Sequence, residues 1–188
     1  MTQRDLDPNL LKMYSFLVFS KLEGAVTSGM IHLGDRLGLY QSLSTFAHPV
    51  TSDELAASLQ LHPRWVQEWI HNQAAARLIE VSIDEQGIET YSMTPEAIVV
   101  LADEFHPAFG MGMFHRLPQT MAGLTALPES FRTGIGLDYD SHGPEGAVGI
   151  ERSFEPWSRS YLLPVVLPAL DGAVSRLESG AVVADIGC

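Results

Sequence analysis

The sequence predicts a mainly α-helical fold with a small β wing: a winged helix-turn-helix, a helical linker behind it, and a single strand at the carboxyl end. Three observations carry that expectation. Apolar residues recur at three- and four-residue spacings through residues 8–38, 106–127 and 150–178, the period of a helix with one buried face. Two capped helix starts stand close together ahead of a hairpin pattern at 78–93. The chain closes on a short apolar run that ends in an acid and a glycine, Ala181-Val182-Val183-Ala184-Asp185-Ile186-Gly187-Cys188.

Residues 8–38 read as helix with one break. Leu22, Val26, Met30, Leu33, Leu37 and Tyr40 form an apolar stripe, and Tyr14, Phe16, Leu17, Val18 and Phe19 upstream are more apolar than one face requires. The surplus fits either burial on several sides or a dimer seam. Gly24, Gly29 and Gly34 each disfavour helix by roughly 1 kcal/mol against alanine, so they mark close helix–helix approach or the break.

The sharpest local signature is Val50-Thr51-Ser52-Asp53-Glu54-Leu55. Thr51 as N-cap with Glu54 three residues later makes a capping box, and Val50 against Leu55 makes a hydrophobic staple. A short helix follows to about residue 60. His62-Pro63 starts a second, with proline at the first helical position, and Trp65, Val66, Trp69, Ile70 and Ala74 line its core side. Two short helices joined tightly make a helix-turn-helix. Residues 78–83 and 88–93 then form a hairpin around Asp84-Glu85-Gln86-Gly87, the wing, and Thr94-Pro95-Glu96 caps a further helix to about residue 102.

Beyond residue 102, Met113, Leu117, Met121, Leu124 and Leu127 suit a buried helical stripe that Pro118 must kink or interrupt. Met111 and His115 are the candidate substrate-pocket residues here. The alternatives are core packing for the methionine and a satisfied structural hydrogen-bonding group for the histidine. Residues 134–149 hold five glycines and read as an exposed loop, either a linker or a flap. Helix resumes over 150–178, with Phe154, Trp157, Tyr161 and Leu162 on its apolar side and Pro156 and Pro164 dividing it.

An apolar strand that feeds a tight turn through an acid and a glycine is how the first buried strand of a nucleotide-type α/β fold meets its ligand, the glycine letting backbone approach closely. Asp185-Ile186-Gly187 resembles motif I of the S-adenosylmethionine-dependent methyltransferases. Arg64-Trp65-Val66-Gln67-Glu68-Trp69-Ile70 followed by Gln73-Ala74-Ala75-Ala76 resembles bacterial small-molecule O-methyltransferases with an N-terminal winged helix. The resemblance implies a winged-helix dimerisation domain (1–102), a mostly helical linker and substrate-pocket region (103–179), and the first strand and opening of motif I of a Rossmann-like cofactor domain cut short (180–188). It implies S-adenosylmethionine as cofactor, with Asp185 and Gly187 starting its turn and Phe154, Trp157 and Tyr161 either flanking it or packing as core against the cofactor domain, a small-molecule acceptor, and a homodimer through the N-terminal helices. No catalytic residue is assigned, and binding of the cofactor by these 188 residues alone is not expected.

Composition bounds the alternatives. With 46% hydrophobic and 18% charged residues the chain is globular in type, and its longest apolar segments fall well short of the ~20 residues of a membrane helix. The first residues lack a secretory pattern, and one cysteine suits a cytoplasmic setting. The seven histidines show no metal-ligand spacing. Net charge is −12, and residues 1–102 carry six Lys and Arg against twelve Asp and Glu. Duplex readers displace phosphate counterions with cations, so the balance argues against nucleic acid. A winged-helix regulator that binds DNA is the rival reading. A short chain that pairs with a full-length methyltransferase and modulates it is the third.

Overall fold

The computed structural model describes residues 6–186. It has the expected architecture: helices throughout, one two-stranded antiparallel wing, and a helix-turn-helix between them. The first helix, α1 (Pro8–Arg36), is capped by Asp7, whose carboxylate accepts from the backbone N–H of Asn9 at 2.8 Å. Pro8 costs nothing there, since its missing N–H belongs to the unpaired first turn. Twenty-nine residues make a rod about 43 Å long. The expected break does not occur. Of the three glycines, Gly34 is the close approach: a Cβ there would lie 2.6 Å from both Trp69 and Tyr40 ring atoms, whereas at Gly24 and Gly29 it would meet nothing within 4 Å.

Gly38, at φ 70°, turns the chain into α2 (Leu39–Ser44). The capping box opens α3 (Ser52–Ser58): Thr51 Oγ1 accepts from the Glu54 N–H, and Glu54 Oε2 accepts from the Thr51 N–H at 2.8 Å. That backbone hydrogen bond, ahead of the one from the Thr51 hydroxyl, holds the Glu54 carboxyl below its ordinary range. His62 caps α4 (Pro63–Ala75). The wing pairs β1 (Glu80–Ile83) with β2 (Glu89–Ser92) in the register Glu80↔Ser92 to Ile83↔Glu89, turning at Gly87 with φ 80°. Val50 bridges Tyr91 through two backbone hydrogen bonds, which fastens the wing to the start of α3. Helix α5 (Pro95–Leu101) closes this part behind its Thr94 cap.

The core gathers Leu39, Tyr40, Val50, Leu55, Trp69 and Ile70, with Phe109 and Met111 added from beyond the wing. Its polar groups are paired. Trp69 Nε1 donates to the Met30 carbonyl at 2.8 Å, and the Tyr40 hydroxyl donates to Gln73 Oε1 at 2.5 Å. Burial, and then the Asp35 charge, holds the Tyr40 hydroxyl well above its ordinary range, so it stays a donor. Tyr40→Phe is therefore expected to cost ~1–3 kcal/mol in urea denaturation, because Gln73 keeps a buried acceptor with no partner. Tyr40→Phe with Gln73→Leu, which removes both partners, should recover part of that loss.

Past α5 the helical stretch is interrupted at Pro118 rather than kinked there. It is divided into α6 (Gly112–His115), α7 (Leu117–Gly123) and α8 (Leu127–Thr133), with Pro118 and Pro128 in the first turns of the latter two. Met113, Met121 and Leu124 of the expected buried stripe are exposed, since among the described residues no layer covers them. The glycine-rich stretch is loop only at its start. After a 3₁₀ turn (Tyr139–His142) it becomes the first turns of α9 (Gly143–Trp157), which runs unbroken past Pro156. Glycines let α9 and α6 pack closely: a Cβ on Gly149 of α9 would meet Arg116 Cβ at 2.8 Å, and one on Gly112 of α6 would meet the Ser153 backbone nitrogen at 2.4 Å. α9 continues into a π-helical segment (Ser158–Val166), then α10 (Leu167–Ala169) and α11 (Ala173–Glu178). Residues 181–186 form no strand. A single strand has no neighbour to take its backbone N–H and C=O groups, so the expected terminal strand stays unpaired and solvated. Gly187 lies outside the described residues.

Candidate functional site

Two features organise the surface: a polar junction that holds the winged helix against the helical region, and an apolar groove on the winged helix itself. The junction centres on Arg152 of α9. Its two terminal nitrogens donate in parallel to Asp35 of α1 at 2.7 and 2.8 Å, and Nη2 also donates to Glu104 at 2.7 Å. The guanidinium lies over the Phe109 ring, 5.4 Å from its centroid. The Asp35 side chain is almost fully buried, and its hydrogen bonds are the main cause holding the Arg152 pKa above an already high value, so Arg152 stays charged.

Arg152 Nη1 lies 3.1 Å from His115 Nδ1. A guanidinium can only donate, so Nδ1 accepts, and the ring proton sits on Nε2, which donates to Glu145 Oε2 at 2.8 Å. Both nitrogens of His115 are thus engaged. His32 of α1 donates from Nδ1 to the Phe114 carbonyl at 2.9 Å, a second tie between α1 and α6. Met111 is fully buried beside this junction. Arg152, Asp35, Glu104 and Glu145 carried no sequence signal: they lie at unrelated spacings, and only the fold brings them together. Beside the junction a hollow of about 340 Å³ is lined by Arg116, Tyr139, Asp140 and His142 together with the apolar Pro144, Ala147 and Ile150.

The three aromatic candidates lie together along α9 and its π-helical extension. The Trp157 and Tyr161 rings are 5.8 Å apart and tilted by 38°, and with Phe154 they face solvent. Arg159 pairs with Glu155 and lies over the Phe105 ring. Asp185 sits in the exposed terminal segment and joins no ion pair or side-chain hydrogen bond among the described residues.

On the winged helix, the face that reads a duplex in helix-turn-helix proteins is unsuited to phosphate. Arg64 is held by Glu68 at 2.6 Å one turn along α4, and the wing carries Glu80, Asp84, Glu85 and Glu89 with no Lys or Arg. Glu89 accepts from the Tyr91 hydroxyl at 2.5 Å and lies 2.8 Å from His71 Nε2, and those two hydrogen bonds hold its carboxyl below the ordinary range. Trp65, read as core from its spacing to Trp69, is instead 72% exposed, because the first turn of α4 projects past the body of the domain. It forms the rim of an apolar groove of about 550 Å³ between α1 and α4, floored by Met30, Leu33, Leu37 and Leu61.

Residues 25–102 match the sequence profile of the Rv2258c-like winged HTH domain. This segment is similar to winged HTH domains of that type. No curated protein matches the chain. Among solved structures it resembles human N-acetylserotonin methyltransferase in complex with SAM, at 15% identity over 91% of this chain and 51% of that one, TM-score 0.61. It is similar to the mitomycin 7-O-methyltransferase MmcR at 18% identity over 82% and 47%, TM-score 0.61. It also resembles the N,N-8-amino-8-demethyl-D-riboflavin dimethyltransferase RosA from Streptomyces davawensis at 18% identity over 82% and 47%, TM-score 0.54. The likeness is one of fold, and the chain spans about half the length of the structures it matches. In fold, this Rv2258c-like winged HTH domain and the helices behind it resemble the N-terminal region of S-adenosylmethionine-dependent methyltransferases. Among the described residues no helix is long and apolar enough to cross a membrane.

Proposed function

We propose that this chain is the dimerisation and substrate-enclosing region of a cytoplasmic S-adenosylmethionine-dependent methyltransferase acting on a small molecule, and that residues 1–188 by themselves do not transfer a methyl group. The observation that carries the reading is the reach of the fold likeness. A winged-helix regulator would match over 25–102 alone, whereas the match to the human methyltransferase extends over 91% of the chain, helical region included. The acidic wing and the Arg64–Glu68 pair support the same choice over a DNA reader.

The residues present fit one wall of such a site. Trp157 and Tyr161 offer adjacent aromatic faces of the kind that suit a sulfonium or an adenine, with Phe154 on the same run of helix, and the sequence Asp185-Ile186-Gly187 would open the cofactor turn. Bound S-adenosylmethionine supplies an electrophilic methyl group for in-line attack by the acceptor. The contribution of this chain is to position the acceptor and exclude water, with Met111 and His115 packed behind the pocket wall and the Arg152 junction fixing that wall to α1.

Calorimetry tests the division of labour. These 188 residues are expected to show negligible S-adenosylmethionine binding, and micromolar affinity would sink the reading. A duplex titration is expected to give no salt-dependent binding at moderate ionic strength; a steep salt slope would favour the regulator instead.

A further inference from the structure

We infer that the hollow beside the 3₁₀ turn at Tyr139–His142 binds a small amino carboxylate, its carboxylate on Arg116, its ammonium on Asp140 and its apolar body along α9. The site names an acceptor class for the function proposed above and rests on that reading only for calling the ligand a methyl acceptor. Among the described residues, neither the Arg116 guanidinium nor the Asp140 carboxylate makes an ion pair or side-chain hydrogen bond. Two opposite charges thus line one hollow without closing on each other. A plain anion drawn to Arg116 meets Asp140, and a plain cation drawn to Asp140 meets Arg116. An α-amino carboxylate offers both complements at once, and the guanidinium fork can take its carboxylate with two parallel hydrogen bonds.

The basic side chains of the hollow are seated by α9 itself. A Cβ on Gly149 would lie 2.8 Å from Arg116 Cβ and 3.1 Å from its Cγ, and one on Gly146 would lie 2.8 Å from His142 Cβ. Glycine disfavours a helix interior, yet α9 carries two where these stems lie against it. On the other side of His142 a second hollow of about 290 Å³ holds Gln119, whose Oε1 is buried without a hydrogen-bond partner among the described residues. A buried acceptor left alone is costly, and an ammonium has donors to spare for it beyond Asp140. The first hollow, at about 340 Å³, is large enough for a small molecule, since such pockets start at ~300 Å³. Its apolar wall sets the direction. Ala147, Ile150, Phe154 and Trp157 follow at spacings of three, four and three, so the hollow and the aromatic row share one stripe of α9. From Ile150 to Trp157 the helix rises about 10 Å, which leads a ligand's apolar end toward the aromatic faces.

An NMR titration of the isotope-labelled 188-residue chain, with no S-adenosylmethionine present, tests the site. The probe is L-phenylalanine, with 3-phenylpropionate and phenethylamine as counterparts that lack the ammonium and the carboxylate. L-Phenylalanine is expected to shift the amide signals of His142, Gly143 and Gly146 saturably, with a dissociation constant on the order of millimolar for so small a ligand. Each counterpart should bind about tenfold more weakly, the loss of one charge-assisted hydrogen bond. Arg116→Met should weaken L-phenylalanine about tenfold and leave phenethylamine unchanged, and Asp140→Asn should weaken L-phenylalanine while leaving 3-phenylpropionate no weaker. Arg116→Lys, which keeps the charge but not the fork, should recover part of the loss. Unchanged signals away from α9 show that each variant is folded. The absence of saturable shifts at these residues would overturn the site, as would equal binding of the three probes or an Arg116→Met chain that binds L-phenylalanine as tightly. Expected probe binding together with steep salt-dependent duplex binding would keep the site and remove the methyltransferase reading.

Discussion

Arg152→Met is expected to lower the unfolding free energy by ~3–5 kcal/mol, the usual penalty for leaving one member of a buried ion pair alone. Asp35 is 3% exposed, and Arg152 supplies both of its short charge-assisted hydrogen bonds. Methionine fills much of the arginine stem, so lost packing is minor beside the stranded carboxylate. The same substitution frees Glu104 and the Nδ1 side of His115, but Glu104 is half exposed and water compensates it. Urea denaturation followed by far-UV and near-UV circular dichroism measures the effect. Arg152→Met with Asp35→Leu should recover most of the loss, because the buried charge goes with its partner. A loss below ~1 kcal/mol in the single variant would mean that solvent reaches Asp35 and the junction is not buried.

Gly112→Ala should be the second large effect, with a loss of ~2–3 kcal/mol. In a helix interior alanine normally gains about 1 kcal/mol over glycine. Here the added Cβ would lie 2.4 Å from the Ser153 nitrogen and 2.7 Å from the Arg152 carbonyl carbon, backbone atoms that no rotamer change can move. Overpacking of this kind costs ~1–3 kcal/mol, and the clash wins because α6 must back away from α9 as a unit. That displacement also pulls His115 from Glu145 and Arg152. Gly24→Ala is the control: it meets open space and should stabilise by ~1 kcal/mol, so opposite signs for the two changes in thermal melts are the expected result.

These two sites mark how far the sequence could be read. Thr51 with Glu54, Pro63, Gly87 and Pro95 act through neighbours within four residues, and each stands where local chemistry predicts. Local rules do not reach the junction. Asp35, Glu104, Glu145 and Arg152 are ordinary charged residues, and His115 a lone histidine, until α1, α6 and α9 converge, and nothing in their spacing announces it. Gly143, Gly146 and Gly149 mislead for the same reason: glycine density reads as a loop, while in the fold two of them make room for His142 and Arg116 against α9. Trp65 and Trp69 share a spacing but not a fate, because burial depends on what lies opposite each turn of α4. The aromatic face of Phe154, Trp157 and Tyr161 was legible as a row, though what it meets belongs to no neighbouring stretch of sequence.

The seating of Gly34 between Trp69 and Tyr40 has a mechanical side. It clamps one end of a rod whose opposite end is free of its own domain, which makes α1 a lever with its fulcrum at the helix-turn-helix. Over a span of about 40 Å, a tilt of about 5° at the clamp swings the Asp7 end through roughly 3 Å. Small shifts in the seat of α4 are thus amplified at a distance.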